Sequence, residues 1–90
     1  MFIEIVSPEK IIFTGDVNGV YLPGTEGFFQ ILNNHAPIVS TLKKGTIQLS
    51  GKFEDHISEN LTLDGVNNAS LHIESGVVEM KNNKLIILVD

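Results

Sequence analysis

The chain has 90 residues, no cysteine and a formal net charge of −5, which bounds it to one domain with a single modest core and leans toward a reducing compartment. The six basic residues are spread from Lys10 to Lys84, with only Lys43 and Lys44 adjacent and no aromatic residue interleaved, which argues against nucleic acid and gives no reason for the chain to adhere to anionic lipid. There is no run of about twenty apolar residues to cross a membrane, and Met1-Phe2-Ile3-Glu4 does not read as a secretory leader.

In chain order, the residues predict short strands separated by turns. Ser7-Pro8-Glu9 and Thr14-Gly15-Asp16 are the first turn signals. Val20-Tyr21-Leu22 fits a strand with the tyrosine at a rim, and Pro23-Gly24-Thr25-Glu26-Gly27 is the strongest turn in the chain. Thr46-Ile47-Gln48-Leu49 alternates apolar with polar, as do Leu61-Thr62-Leu63, Leu71-His72-Ile73-Glu74 and Val78-Glu79-Met80-Lys81. That period belongs to half-buried strands. The stretch from Lys52 to Glu59 is too short and too poorly periodic for a helix and reads as a hairpin loop. Asp64-Gly65 and Asn67-Asn68 mark further turns. Asn82-Asn83 sits between two strand-like runs, and asparagine tolerates the positive φ of a type I′ hairpin. Leu85 to Val89 is apolar throughout, the pattern of a strand covered on both faces. Eight to ten short strands with regular turns predict an all-β sandwich or barrel.

Little in the sequence points to chemistry. His35, His56 and His72 lack metal-site spacing, apart from the Glu54-Asp55-His56 cluster, which reads as a solvated loop. His72 alternates with Leu71 and Ile73 and should face solvent. No Gly-x-Ser-x-Gly elbow is present. The turn at Pro23–Gly27 contains an acid and is followed by no lysine, so it is not a phosphate loop. The expectation is a chain with no catalytic residue, cofactor or metal. His35, in Leu32-Asn33-Asn34-His35-Ala36-Pro37-Ile38, has two readings: a ring that satisfies its own loop, or a contact with another protein.

Four segments carry a family likeness: Ile5–Lys10 with Phe13–Val17; Val20–Leu32; Asn34–Ile38 with Leu42 and Gly45–Ile47; and Ser75–Met80 with Asn83–Leu88. Together they resemble the N-terminal β-sandwich domain of the epsilon subunit of bacterial F-type ATP synthase (delta in mitochondria). The most specific part is the Pro-Gly-x-x-Gly turn followed by His-Ala-Pro. The resemblance implies a flattened two-sheet sandwich of about ten strands over residues 1–90, without the C-terminal helical hairpin of many relatives. It implies a non-catalytic rotor subunit on the cytoplasmic face of the bacterial inner membrane, joining the gamma subunit to the polar loops of the c-ring and coupling proton flow to ATP synthesis. Neither bound ATP nor membrane insertion is expected.

Carried over by position, Gly27, Phe28 and Phe29 are candidates for the c-ring contact. Ser7, Pro8, His35, Ala36 and Pro37 are candidates for the gamma contact. Phe28 stands where many relatives have glutamate and Gln30 where many have glycine, and the stretch from Gly45 to Gly76 is longer than expected. Phe28 and Phe29 are adjacent, so on a strand they point to opposite faces, and one should be exposed. Two rival readings are a carbohydrate- or protein-binding adhesion module and a small β-barrel enzyme. The lack of cysteines, and of aromatic platforms with one Tyr and no Trp, stands against the first.

Overall fold

The structure is a computed structural model that describes residues 1–53 and 59–90. The acidic cluster Glu54-Asp55-His56 and most of the expected loop around it lie outside the described residues. Nine strands are present among the described residues: β1 Phe2–Val6, β2 Ile11–Gly24, β3 Gly27–Leu32, β4 Ile38–Leu42, β5 Gly45–Gly51, β6 Thr62–Leu63, β7 Asn68–Ile73, β8 Gly76–Lys81 and β9 Lys84–Val89. All pairings are antiparallel except that of β1 with β9.

The pairings fall into two groups joined by the long strand β2. Its first half pairs with β1, which continues through β9 and β8 to β4. Its second half pairs with β3 on one side and with β5 on the other, and β5 continues to β7 and β6. Because β2 belongs to both groups, and Gly24 pairs with Leu42 of β4, the hydrogen bonding runs without interruption through one nine-stranded network. The expected two sheets are thus two layers sharing one strand.

A sequence feature allows β2 to serve both. Its inward residues are Phe13 and Val17, then Val20 and Leu22. The parity changes because Asn18 is an extra residue in the ladder, lying between the pairs Val17↔Gly51 and Gly19↔Ser50. A second irregularity falls at Ile5/Val6, where Ile12 is extra. Bulges bend a strand and increase its twist, which is what a strand crossing between layers requires.

Between the layers lies one core. Ile3 and Ile5 of β1, Val20 and Leu22 of β2, Ile31 of β3, Ile47 and Leu49 of β5, Val78 and Met80 of β8, and Leu85 and Ile87 of β9 are almost fully buried. Each such side chain contributes roughly 1.5–3 kcal/mol of burial.

Two turns follow the expected chemistry. The pair Lys81↔Lys84 closes a two-residue hairpin at Asn82 and Asn83, whose φ values are +53° and +57°; this is the type I′ pattern. The pair Gly24↔Gly27 closes the β2–β3 hairpin around Thr25 and Glu26, and Gly27 takes φ +128°.

Two expectations are corrected. Thr14-Gly15-Asp16 is not a turn: it lies within β2, where Thr14, Gly15 and Asp16 pair with Glu4, Ile3 and Phe2 of β1. β9 is not covered on both faces. Leu85, Ile87 and Val89 point inward, but Ile86 is only half-buried and Leu88 is 52% exposed. Among the described residues no second layer packs on the outer face of β9, so Leu88 there remains open.

Candidate interaction surfaces

The outer face of the β4–β8–β9–β1–β2 layer can be read from the ladder. One row across it runs Thr41, Val77, Leu88, Val6 and Ile11. The next runs Val39, Glu79, Ile86, Glu4 and Thr14. The third runs Lys81, Lys84, Phe2 and Asp16, with the Lys84 ammonium 6.0 Å from the centroid of the Phe2 ring. The face therefore grades from apolar at one end to charged at the other. Val39, Val77, Leu88 and Ile11 are all exposed on it.

Ser7 and Pro8 lie at the apolar end. They form the β1–β2 turn, in which the Ser7 amide donates to the Lys10 carbonyl at 2.9 Å and the Lys10 amide lies 3.3 Å from the Ser7 hydroxyl. Proline suits the second position of such a turn, and Pro8 is exposed.

His35, Ala36 and Pro37 lie at the charged end, leading into β4. All three are exposed. The His35 Nδ1–H donates to the Ala36 carbonyl at 2.7 Å, and the His35 amide donates to the Leu32 carbonyl at 3.2 Å. The ring thus does satisfy its own loop, one of the two readings of this residue. Its Nε2 has no protein partner among the described residues.

The two groups of candidate gamma-facing residues are consequently not brought to one point. They are separated by the length of β1, five residues or about 17 Å at roughly 3.4 Å per residue. What joins them is the partly apolar face between them.

Gly27, Phe28 and Phe29 do sit together, at the start of β3. They lie at the same end as Ser7, because the Thr25 amide donates to the Thr41 carbonyl at 3.1 Å and Thr41 begins the apolar row. The alternation rule now has its answer: Phe28 is 53% exposed, while Phe29 packs against the core. The Phe28 ring stacks on Tyr21 with centroids 5.3 Å apart. Gly24 is required for this hairpin. A Cβ there would lie 2.7 Å from both the Gly27 carbonyl oxygen and the Phe29 ring.

His72 faces solvent and lies 3.3 Å from the Glu74 carboxylate. Among the described residues, no group of three or more His, Cys, Asp or Glu gathers, and no helix is long and apolar enough to cross a membrane.

The family profile described as ATP synthase, Delta/Epsilon chain, beta-sandwich domain matches residues 1–90. The chain belongs to this family. Among its relatives, the ATP synthase epsilon chain of Leptospira interrogans serogroup Icterohaemorrhagiae serovar copenhageni is 40% identical over 88 residues, covering 98% of this chain and 59% of that protein. The ATP synthase epsilon chain of Chlorobium limicola is 38% identical over 90 residues and is covered to 86% of its length. The chain spans 59% of the length of the relatives from Leptospira. In fold, it resembles a chain of the Tetrahymena thermophila mitochondrial ATP synthase central stalk and c-ring, with TM-score 0.72, 15% identity, and coverage of 98% of this chain and 61% of that one.

Sequence reasoning missed the outward apolar row Val77, Leu88, Val6 and Ile11. Its signal was present in the unbroken apolar run Leu85–Val89, which was assigned to burial within the chain. It also missed the Tyr21 partner of Phe28, since nothing local reveals the register between β2 and β3.

Proposed function

We propose that this domain is a non-catalytic rotor element of a proton-translocating F-type ATP synthase, clamped to the gamma subunit by its apolar outer face and touching the polar loops of the c-ring through Gly27, Phe28 and Phe29. Family membership supports the assignment. The observation that carries the mode of binding is the apolar row Val77–Leu88–Val6–Ile11, exposed at Val77, Leu88 and Ile11 and half-buried at Val6, on a chain whose net charge of −5 otherwise favours solvent. Exposed apolar side chains contiguous across three or four strands mark a protein interface.

Gamma spans this face from Ser7 and Pro8 at one end to His35, Ala36 and Pro37 at the other. The β2–β3 hairpin is then free to meet the ring. The domain acts mechanically: held by two partners, it turns with both and helps couple proton flow to ATP synthesis performed on other subunits. Its place is peripheral, on the cytoplasmic face of the bacterial inner membrane, with no ATP bound.

Co-expression with gamma of the same synthase tests the reading. The domain should co-purify with gamma through size exclusion. Elution of the two as separate species would refute it.

A further inference from the structure

We infer that Asn83 is a positioning residue for the His35–Pro37 loop, setting from a different hairpin the shape in which that loop meets its partner. The inference rests on the gamma-facing reading of the loop.

The loop leaves β3 through Asn34, whose φ of +62° is left-handed. Asparagine tolerates that conformation better than most residues, so the backbone can turn here, and its amide is left to find a partner. The Asn34 amide donates to the Asn83 side-chain Oδ1 at 2.7 Å, across a sequence separation of 49 residues. An amide nitrogen can only donate, so the accepting atom of the carboxamide must be its oxygen. Among the described residues, this is the one side-chain hydrogen bond reaching residues 34–37 from outside the loop; the other bonds there, from His35 to Leu32 and Ala36, are local.

Asn83 is itself well fixed. It holds the second left-handed position of the β8–β9 hairpin, and its backbone carbonyl accepts the Phe2 amide at 3.2 Å. The residue before the loop is held too, since Asn33 Oδ1 accepts from the Met1 amino group. The hairpin, the start of β1 and the loop therefore meet at Asn83. The turn needs only the left-handed backbone there. The carboxamide is left for the loop, and a preorganised loop loses less entropy on binding.

These two roles separate cleanly by substitution. Asn83→Gly keeps the turn, because Asn-Gly is a preferred type I′ pair, but removes the acceptor. Asn83→Asp keeps both, because aspartate accepts and tolerates the left-handed region. The experiment measures three things on wild type, Asn83→Gly, Asn83→Asp and His35→Ala: thermal melting, hydrogen exchange of the Asn34 amide by NMR, and affinity for gamma. For Asn83→Gly we expect a cooperative melt lowered by no more than about 8 °C, at least threefold faster Asn34 exchange and roughly fivefold weaker gamma binding, the scale of one lost hydrogen bond. Asn83→Asp should restore exchange and binding.

Unchanged gamma binding by Asn83→Gly overturns the inference. If His35→Ala also binds normally, the gamma-facing reading of the loop falls with it; if His35→Ala binds weakly, only the positioning role falls. Loss of fold in Asn83→Gly, or wild-type protection of its Asn34 amide, equally contradicts it.

Discussion

The rings of Tyr21 and Phe28 stack almost in parallel, 6° apart with centroids 5.3 Å from each other, although they are not direct ladder partners. Tyr21 pairs with Gln30 and Phe28 with Pro23, so the rings meet diagonally across β2 and β3. Aromatic side chains are long enough to bridge that diagonal. The stack holds an outward aromatic ring at the start of β3, next to the core-packed Phe29.

That relationship sets the expected chemistry of the proposed c-ring contact. A desolvated aromatic anchor is worth about 2 kcal/mol or more, whereas a rim charge pair is worth under about 1 kcal/mol and weakens with salt. Retention of the rotor complex should therefore be similar at low and high ionic strength. Phe28→Ala should weaken retention at both, and Phe28→Glu should restore it in part at low salt. Removing the ring also costs about 0.5–1.5 kcal/mol of stacking, so melting is checked alongside. Phe28→Ala retained as well as wild type at every salt concentration would remove Phe28 from the contact.

The face proposed to meet gamma predicts a different variant. Leu88 is exposed and its neighbours in the row are apolar. Leu88→Lys should leave stability within about 0.5 kcal/mol, as surface changes generally do. It should nevertheless reduce gamma affinity by tenfold or more, because it buries an unpaired charge at the interface. Titration calorimetry with purified gamma checks it; equal affinity would move the interface off this layer.

Gly24→Ala tests the hairpin that presents Phe28. Its Cβ would lie 2.7 Å from a backbone oxygen, the Gly27 carbonyl, and overpacking of this kind costs about 1–3 kcal/mol. At roughly 4–8 °C per kcal/mol for a domain of this size, the melting temperature should fall by about 4 °C or considerably more. An unchanged melting temperature would contradict the close approach of β2 to β3.

Much of this architecture was legible in the sequence, and the reason is local. Alternation identified β5, β7 and β8, and Asn82-Asn83 announced its turn, because side-chain parity and backbone φ are decided within a few residues. The opposite facing of Phe28 and Phe29 was equally local. Which ring points out was not, since that depends on Leu22 and Val20 facing Phe29 and Ile31 across a ladder. The position of Ser7 relative to His35 also escaped, because it depends on the order β1–β9–β8–β4. Family likeness named both as gamma-facing, and only the register revealed that they bound one face from opposite ends. The contact of Asn34 with Asn83, across 49 residues, left no local trace.

The absence of a phosphate-cradling loop predicts that the 90-residue domain takes up no nucleotide. Calorimetry with millimolar MgATP should give only dilution heat. A saturable isotherm would require a site unlike any described above.

The central claim is that this domain mechanically joins gamma to the c-ring, and ATP-driven proton pumping tests it most directly. Membranes carrying the synthase depleted of its own epsilon chain would be supplied with this domain, and acidification would be followed by fluorescence quenching. The account predicts that wild-type domain restores pumping and that Leu88→Lys restores little. Pumping that is the same with the domain, without it, and with Leu88→Lys would contradict the account.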